Sequence, residues 1–381
     1  MKVKDNKKIF FFMPLASVGG TESVHLDILK SLQDYDLNIF IRYSSNIWKG
    51  RAYCTSKKAK LEGKAMLSEF QKYGQVIFLD KFLDAFRFGR IIRKWYKRFL
   101  LHKINNSESA VVIFWHRESI DFIFDNLNEN VKIIDIVHNN SNNEVSDAHY
   151  LVNDLVPKIN CRILVSNGLK KWLEPLYTES NYSSELWNRI RVIEHCVHFP
   201  SGGSIQKSTE VFHVLFIGRD SIEKRFNLIL QIAETVNNNF HFHFIGPEKE
   251  DYEKFKLKNS TWYGSLTNRN EIEEIYKKGH VLILTSSSEG FPKVISEAMA
   301  FSCVPIVTDV GDISSHVKME FNGILTQPDN CVAESVVALQ RLYDDKASYN
   351  LLSQNSYLYA KDKFTEERFK NEWNNVISSL S

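Results

Sequence analysis

The sequence lacks three features that would assign it to a broad class at once. It has no run of about 18 consecutive apolar residues, which excludes a transmembrane helix. Its five cysteines are scattered and form no C-x-x-C pair, as expected of a reduced, cytoplasmic protein rather than a disulfide framework. Charge of one sign is not in excess, because the net charge is +2. Any affinity for nucleic acid or for an acidic ligand must therefore come from a local patch.

Two nucleotide-binding fingerprints are also absent. The chain contains neither the dinucleotide motif G-x-G-x-x-G nor the Walker A ending G-K-S/T, which disfavours a dehydrogenase and a P-loop enzyme. Instead, the pair Gly19-Gly20 follows the first strand-like run, KIFFFMP. Consecutive glycines let backbone amides approach a phosphate or an acceptor substrate, or they simply form the turn from strand to helix.

Metal-binding patterns are equally weak. His195, His198, His241 and His243 have no cysteine at ligand spacing, so packed or surface histidines are expected. The one Asp-x-Asp sequence, residues 34–36, falls between a helix and the next strand, where aspartate favours a turn. We therefore predict no metal site.

Strand-like apolar runs alternate with amphipathic segments along the whole chain, which predicts parallel sheets covered by helices. A stretch rich in Ser and Gly at residues 193–211 is the best linker. We predict an α/β fold of two doubly wound, Rossmann-like domains, residues 1–202 and 203–363, that face each other across a cleft. Residues 364–381 have apolar side chains at helical spacing, and this helix is expected to pack back on the first domain.

The most informative segment is residues 285–297, TSSSEGFPKVISE, which places Glu289 and Glu297 on either side of a Gly-Phe-Pro loop. Pro292 suits the first helical position, so we expect a helix to begin there. The first amides of a helix and its dipole favour an anion, while carboxylates accept hydrogen bonds from sugar hydroxyls. The combination points to a nucleotide sugar, or else to an ordinary helix N-terminus with incidental surface glutamates.

A second strand-like run ends in FIGRDSIEKRF, which places Arg219 and Lys224 in the following loop and first helical turn. Two cations at the carboxyl end of a strand would neutralise a diphosphate and stabilise it as a leaving group. The alternative is a solvated pair of surface cations.

Three segments resemble, in order and spacing, the donor-binding half of the group 1 retaining glycosyltransferases of GT-B fold. They are FIGRDSIEKRFNLIL, residues 260–317 and FNGILTQPDN. With the glycine loop, the likeness covers most of the chain. Its most specific part is the Glu-x7-Glu spacing of Glu289 and Glu297, with the flanking EAMA and TDVG. The resemblance implies an acceptor-side first domain and a second domain that binds the nucleotide sugar.

The resemblance also implies a role for each candidate residue. Glu289 would bind sugar hydroxyls near the reacting carbon, Glu297 the ribose hydroxyls, and Arg219 and Lys224 the diphosphate. His138, at the end of a strand, matches a histidine that such enzymes place near the donor sugar. The other expected donor contacts are Gly19 and Gly20 over the phosphates, Gly218 at its strand end, Gly264 and Leu266 beside the base, and Gly290, Phe291, Pro292, Lys293 and Val294 against sugar and phosphate.

Three positions depart from the family pattern. Lys224-Arg225 stands where Lys-Gly is usual, so Arg225 would add a second cation or point into solvent. His195-Cys196 replaces Asn-Gly, and residues 300–302, Ala-Phe-Ser, replace Ala-x-Gly. These changes concern the fine positioning of the donor and leave the charged and hydroxyl-binding residues in place.

The expected reaction breaks the bond between the anomeric carbon and phosphate and passes the sugar to an acceptor hydroxyl with retention. Retaining glycosidases use a carboxylate nucleophile, for which no candidate is evident here. We therefore expect a same-face substitution without a metal ion, in which the leaving diphosphate helps to take the acceptor proton. Arg219, Lys224 and the helix N-terminus would stabilise the charge.

These inferences predict a hexosyltransferase that uses a UDP-sugar, with GDP as the next carrier, and no cofactor besides the donor. Its acceptor would be a sugar or a lipid-linked glycan in polysaccharide or glycolipid biosynthesis of the lipopolysaccharide or capsule type. An epimerase of the same fold and a non-catalytic nucleotide-sugar-binding protein are the alternatives. The first would consume donor without an acceptor, and the second would bind donor without releasing diphosphate.

Two further features stand apart from the donor motifs. His116 follows the strand-like run AVVIFW and is either an acceptor-side residue or a structural one. Residues 86–103, FRFGRIIRKWYKRFLLHK, interleave seven cations with apolar side chains. Such a helix could lie on an anionic membrane surface, which would make the protein peripheral at the inner face of the cell membrane. It could equally be a packed helix with a solvated basic face, and nucleic acid is not expected as a partner.

Overall fold

The computed structural model describes residues 7–14, 19–42, 47–48, 51–52, 66–80, 89–138, 155–180, 182, 184–208, 211–252, 254–255, 257–266 and 268–380. These residues form two compact units. Unit 1 comprises the described residues of Met1–His195 and Phe369–Ser381, and unit 2 comprises those of Cys196–Arg368. Within the described residues, no helix is both long and apolar enough to cross a bilayer.

Unit 1 is built on a seven-stranded sheet. Its strands are β1 Lys8–Met13, β2 Asp36–Ile41, β5 Gln75–Phe78, β6 Ala110–Trp115, β7 Lys132–Val137, β8 Cys161–Leu164 and β9 Ile190–Val192, while β3 Ile47–Trp48 and β4 Arg51–Ala52 form a separate antiparallel ribbon. The order is β5-β2-β1-β6-β7-β8-β9, and the neighbouring strands pair in parallel.

Unit 2 is built on a six-stranded parallel sheet. Its strands are β10 Phe212–Ile217, β11 Phe240–Ile245, β12 Ser260–Gly264, β13 Val281–Leu284, β14 Val304–Thr308 and β15 Ile324–Thr326. The order is β12-β11-β10-β13-β14-β15. In both sheets the order reverses beside the first strand, at β1/β6 and β10/β13, which is where doubly wound sheets bind ligands.

Helices connect the strands of both sheets. They are α1 Gly20–Ser31, α2 Gly89–Asn105, α3 Asp121–Phe124, α4 Asn167–Glu179, α5 Ser184–Trp187, α6 Phe226–Thr235, α7 Arg269–Lys278, α8 Lys293–Ala300, α9 Ile313–His316, α10 Cys331–Asp344, α11 Lys346–Lys363 and α12 Glu366–Ser379, with residues 66–71 also helical. Short 3-10 turns occur at Arg117–Ser119, Val156–Lys158, Ile222–Lys224 and Lys249–Tyr252.

The central strands are apolar on both faces. Phe10, Phe11 and Phe12 of β1 and all four residues of β13, VLIL, are buried. Continuous apolar runs of this kind occur in parallel strands that helices cover from both sides, because neither face meets water. The predicted α/β class with two parallel sheets is therefore confirmed.

The boundary between the units lies at His195 and again at Arg368, whereas sequence reasoning placed it at residues 202 and 363. Backbone contacts explain the difference. Val197 N–H donates to the Phe364 carbonyl over 2.9 Å, and Ile205 N–H donates to Ser302 Oγ over 3.0 Å. The Ser- and Gly-rich segment is thus tied to unit 2. After the second boundary, the C-terminal helix α12 buries Trp373, and its Ile377 carbonyl accepts a hydrogen bond from Lys7 Nζ in unit 1.

Candidate functional site

The carboxyl ends of β10, β11 and β12 meet through three glycines. Gly246 N–H donates to the Gly264 carbonyl over 2.8 Å, and a Cβ on Gly246 would lie 1.8 Å from the Gly218 carbonyl oxygen. Gly246 also has a φ of 113°, which side chains strongly disfavour. Close backbone packing therefore requires the glycine. Leu266, just beyond, packs against the unit 2 core.

Lys224 and Glu289 form an ion pair in which Lys224 Nζ donates to Glu289 Oε1. The two residues follow adjacent strands, since Lys224 ends the 3-10 turn after β10 and Glu289 lies in the loop after β13. Their side chains are only 15% and 12% exposed. Each charge is thus largely desolvated, and removal of one would leave the other uncompensated. The structure thus pairs the residue predicted to bind the diphosphate, Lys224, with the residue predicted to bind the sugar, Glu289.

The Glu289 loop is held by its neighbours on both sides. Ser287 N–H donates to the Glu223 carbonyl over 2.8 Å, and Asp312 N–H donates to the Gly290 carbonyl over 3.1 Å. Gly311 has a φ of 62°, and a Cβ there would lie 1.9 Å from the Glu289 carbonyl oxygen. This positioning role of Gly311 was missed by sequence reasoning, although the TDVG pattern that contains it was noticed.

The helix that follows Glu289 begins one residue later than predicted. Pro292 is the N-cap residue, with an extended ψ of 126°, and α8 starts at Lys293. The expectation that Pro292 is the first helical residue is therefore wrong. Phe291 stacks on His316 with ring centroids 4.1 Å apart, so this side chain anchors the loop in the core. Lys293 is buried, and Val294 is partly buried against the core.

Glu297 lies about one turn into α8 and accepts a hydrogen bond at Oε2 from the Tyr276 hydroxyl over 3.0 Å. Tyr276 is a buried residue of α7. Burial raises its pKa well above the usual range, and the neighbouring Glu297 carboxylate adds to that effect. The hydroxyl therefore stays protonated and can only donate to the carboxylate. Sequence reasoning missed Tyr276, because the pattern EIEEIYKK gives it the appearance of an ordinary apolar helix position.

Arg219 is exposed, directly after Gly218 at the end of β10. The positive charges of Arg219 and Lys224 both act on the Glu223 carboxyl group. Burial acts to raise the pKa of Glu223, but the hydrogen bond from Ser221 and the two cations Arg219 and Lys224 lower it overall. Arg219 and Lys224, the two residues predicted to bind the diphosphate, thus act on one region of the loop after β10.

Arg225 is partly buried, so the expectation that it points into solvent is wrong. Its guanidinium donates to the Thr285 carbonyl over 2.5 Å, to the Pro328 carbonyl over 3.0 Å and to the Ser286 carbonyl over 3.3 Å. Its φ of 48° is left-handed, which explains why glycine is usual there. These three hydrogen bonds offset the strain of a side chain at a glycine position.

Ser302 repeats this arrangement at another departure from the family pattern. Its φ is 60°, its Oγ accepts from Ile205 N–H over 3.0 Å, and its carbonyl accepts from Ser353 Oγ over 2.7 Å. Both departures thus keep the backbone conformation that the glycine would have had.

In unit 1, His138 lies after β7 in a cluster of rings. Its Nε2 is 2.9 Å from Nε2 of His25 on α1, and Trp115 packs edge-on against both imidazoles. Burial lowers the pKa of His138 to about 3. Burial, followed by the proximity of His138, also lowers the pKa of His25 well below its ordinary value. Both rings are therefore neutral at physiological pH. Sequence reasoning found His138 and missed His25.

His116 follows β6 with a φ of 66° and a ψ of 127°, a combination that is costly for a residue with a side chain. Its carbonyl accepts hydrogen bonds from Ser119 N–H over 3.1 Å and Ser119 Oγ over 2.7 Å. Gly20 begins α1, and among the described residues a Cβ built on it would have no atom within 4 Å apart from its chain neighbours and the backbone of its own helix. Strand-to-helix geometry alone therefore does not require glycine at position 20.

Two histidines, one on β10 and one on β11, belong to a hydrogen-bonded chain. His213 Nδ1 lies 3.0 Å from His243 Nε2, and His243 Nδ1 lies 3.0 Å from the Tyr263 hydroxyl. His280 Nε2 donates to the Ser208 carbonyl over 2.6 Å. Among the described residues, no group of three potential ligands could hold a metal ion.

Comparison with known proteins agrees with this geometry. Residues 203–359 match the model of the family described as glycosyl transferases group 1. The match contains the Lys224–Glu289 pair, Glu297 and Tyr276. The similarity to this family therefore covers most of unit 2.

Two relatives and one solved structure are also similar to this chain. An uncharacterized glycosyltransferase of Methanocaldococcus jannaschii is 27% identical over 190 residues, which are 49% of this chain and 53% of that protein, so the chain spans about half the length of this relative. The Escherichia coli UDP-Gal:alpha-D-GlcNAc-diphosphoundecaprenol alpha-1,3-galactosyltransferase is 37% identical over 87 residues, 23% of this chain and 22% of that one. Anabaena Alr3699/HepE in complex with UDP and glucose has a TM-score of 0.74 at 14% identity, covering 98% of this chain and 99% of the other. The chain thus has the GT-B fold.

Proposed function

We propose that the chain is a retaining glycosyltransferase that moves a sugar from a UDP-sugar to an acceptor hydroxyl in polysaccharide or glycolipid biosynthesis. The observation that carries this proposal is the largely desolvated Lys224–Glu289 pair immediately before α8, with Glu297 about one turn into that helix. A fixed cation, two carboxylates and a helix N-terminus match the phosphates and hydroxyls of a nucleotide sugar.

Donor binding would change the partners of the pair. Lys224 would exchange Glu289 for a phosphate oxygen, with Arg219 as the second cation, because charge-assisted contacts to phosphate are strong. Both oxygens of Glu289 would then accept hydrogen bonds from the sugar, and Glu297 would accept them from the ribose. His138 would contact the donor sugar, as the resemblance implies.

The chemical step would be a same-face substitution. The bond between the anomeric carbon and the phosphate oxygen breaks, a bond to the acceptor oxygen forms on the same face, and the acceptor proton passes to the leaving diphosphate. Lys224, Arg219 and the first amides of α8 would stabilise the negative charge that develops on the diphosphate. We assign this neutralisation to the two cations rather than to a metal ion.

Names of similar proteins support the choice of carrier and acceptor. UDP occurs in the name of the E. coli relative and in the Anabaena complex, and the E. coli enzyme acts on a sugar linked to diphosphoundecaprenol. We therefore infer a UDP-sugar donor and a sugar or lipid-linked glycan acceptor.

A two-stage assay tests the function. UDP- and GDP-sugars are first screened by thermal shift, and release of nucleoside diphosphate is then measured with glycan and lipid-linked acceptors, with and without EDTA. We expect a UDP-sugar to stabilise the protein, release of UDP that requires an acceptor and is insensitive to EDTA, and a product whose anomeric configuration matches the donor. Donor conversion without any acceptor would identify an epimerase, and binding without release would identify a non-catalytic protein.

A membrane surface as partner is part of the same proposal. The described part of the basic stretch is α2, whose Ile91, Trp95 and Phe99 are 71%, 68% and 52% exposed. The rings of Trp95 and Phe99 are stacked, with centroids 5.9 Å apart. Arg93 and Lys94 are exposed beside them. Exposed apolar side chains among cations suit an anionic bilayer, which takes up both.

Vesicle sedimentation tests this surface. We expect binding to vesicles with anionic lipid, weaker binding to neutral vesicles, and loss of binding when Trp95→Ser and Phe99→Ser are combined. Val337→Ser is the matched control, because Val337 is 67% exposed on α10 of unit 2. Equal binding to neutral and anionic vesicles would exclude the electrostatic attraction.

A further inference from the structure

His25 makes a buried polar contact that the proposed reaction leaves unexplained. It lies on α1 with no exposed surface, and its Nε2 is 2.9 Å from Nε2 of His138. Phe11 and Trp115 pack edge-on against the ring, with centroids 5.3 and 5.2 Å away. Apolar neighbours therefore fix the orientation of the His25 ring, and within the described chain its hydrogen-bond partner is His138.

Only one proton can lie between the two facing Nε2 atoms of His25 and His138. Both imidazoles are neutral, because burial lowers the pKa of each. A neutral imidazole carries one N–H and one unprotonated nitrogen. If His25 carries its proton on Nε2, then His138 must carry its own on Nδ1, and the reverse assignment leaves His25 with a protonated Nδ1. The tautomers of the two residues are thus coupled.

The second nitrogen of His25 decides between the two assignments. Its Nδ1 is buried and has no hydrogen-bond partner among the residues that the structure describes. A proton there would leave a buried N–H without an acceptor, and such groups are rarer in native proteins than under-satisfied acceptors. We propose that His25 is a positioning residue, which donates its Nε2–H to His138 and so fixes His138 as the Nδ1–H tautomer.

The functional consequence rests on the proposed reaction, in which His138 contacts the donor sugar. An imidazole fixed as Nδ1–H offers a hydrogen-bond donor, rather than an acceptor, to a sugar oxygen. His25 thus sets the polarity of that contact and holds the His138 ring in one orientation. Sugar recognition by unit 1 would then depend on a residue that does not touch the ligand.

Nitrogen NMR tests the tautomer directly. Spectra of the full-length chain with 15N-labelled histidine, recorded near pH 8 where ordinary histidines are neutral, distinguish protonated from unprotonated ring nitrogens. His138→Gln identifies the His138 signals. We expect a protonated Nδ1 on His138 in the native chain and in His25→Gln, whose amide can still donate. In His25→Leu the proton should no longer be confined to Nδ1.

Two results would overturn the assignment: a proton on Nε2 of His138 in the native chain, or a His138 tautomer that His25→Leu leaves unchanged. His213→Gln is the matched control, because it breaks the other close histidine pair, His213 with His243 in unit 2, and should not move the His138 signals. Thermal unfolding of each variant verifies that it is folded.

Turnover separates positioning from a merely structural role. We expect His25→Leu to lower kcat roughly 10- to 100-fold, as misplaced contacts do, with little change in KM, and His25→Gln to restore most of the rate. Equal losses in the two variants would contradict the role of the donated hydrogen bond. If the native chain releases no nucleoside diphosphate with any donor, the proposed function fails, whereas the NMR result still decides the tautomer independently.

Discussion

The two units place opposite chemistry at corresponding edges of their sheets. In unit 2, the strand ends beside β10 and β13 carry the charged pair Lys224–Glu289. In unit 1, the neutral imidazoles of His25 and His138 lie on α1, the helix after β1, and directly after β7, the strand next to β6. The sheets have the same order near these points, so topology alone does not determine which chemistry occupies the site.

The difference is explained by what each buried group has as its partner. Lys224 and Glu289 are each other's ion-pair partner in a largely desolvated place. His25 and His138 have each other and the Trp115 ring as neighbours, and burial lowers the pKa of both imidazoles and so keeps them neutral. The charged pair of unit 2 therefore suits the diphosphate that we propose as ligand, and the neutral imidazoles of unit 1 suit the proposed contact with sugar oxygens.

The largest expected effect comes from breaking the charged pair. We expect Lys224→Met and Glu289→Gln each to lower kcat by about 10²- to 10³-fold, because each would remove a proposed contact to the reacting part of the donor and leave a largely buried charge without its partner. Steady-state rates of UDP release measure the effect. Lys277→Met is the matched control, since it breaks the solvent-exposed pair with Glu274 on α7 and should leave turnover unchanged. Unchanged binding and turnover in the Glu289 variant would refute the site.

Acidification probes the neutral groups. Burial lowers the pKa of His138 and His243 to about 3 and that of His280 to about 4, below the ordinary 6.5. Below pH 6.5 these histidines bind protons in the unfolded chain, whereas in the folded chain they do so only near pH 3 to 4. The free energy of unfolding should therefore fall with decreasing pH, by up to about 1.4 kcal/mol per pH unit for each histidine.

Urea unfolding at several pH values between 7 and 5 measures this slope. His316→Phe provides an internal comparison, because burial lowers the pKa of His316 to about 4 and its ring already stacks on Phe291. The slope should be shallower in this variant. Stability that is constant or rises on acidification would show that the histidines are not held neutral.

A smaller effect should separate ribose binding from the chemical step. Tyr276→Phe removes the hydrogen bond to Glu297 and leaves the ring in place, so we expect KM for the donor to rise about tenfold, at the lower end of what loss of a hydrogen bond to a charged group costs. The kcat should stay near its native value, unlike in the Lys224 variant. A fall in kcat with unchanged KM would assign Glu297 to the reacting centre instead.

The smallest effect concerns backbone strain beside the charged pair. Arg225→Ala loses three hydrogen bonds and keeps a side chain at a left-handed φ, whereas Arg225→Gly loses the same bonds and relieves the strain. We expect the glycine variant to be more stable than the alanine variant by about 1 kcal/mol in urea unfolding. The opposite order would show that the backbone relaxes without glycine.

The sequence predicted the parallel sheets well because both faces of the strands are buried, so that runs such as VLIL in β13 are continuously apolar. It also predicted that Lys224 and Glu289 follow strand ends and that Glu297 lies on the next helix. It could not predict their partners. The lysine–glutamate pair, the Tyr276 hydroxyl and the internal hydrogen bonds of Arg225 depend on distances across different loops, which no local pattern encodes.

His25 is another residue whose contacts could not be predicted from the sequence. It occupies a position in α1 where an apolar residue would satisfy the helical pattern, and only the tertiary contact with His138 distinguishes it. Pro292 differs by a single residue, because the proline φ suits both the N-cap and the first helical position, and only ψ separates the two.

A crystal structure of the full chain with UDP bound tests the central claim most directly, namely that unit 2 binds the donor through Lys224, Arg219, Glu297 and the start of α8. We expect Lys224 Nζ to have left Glu289 and to lie within hydrogen-bond distance of the diphosphate density, and the ribose hydroxyls to lie at Glu297. An intact Lys224–Glu289 pair with UDP bound elsewhere, or no bound nucleotide at saturating concentration, would contradict it.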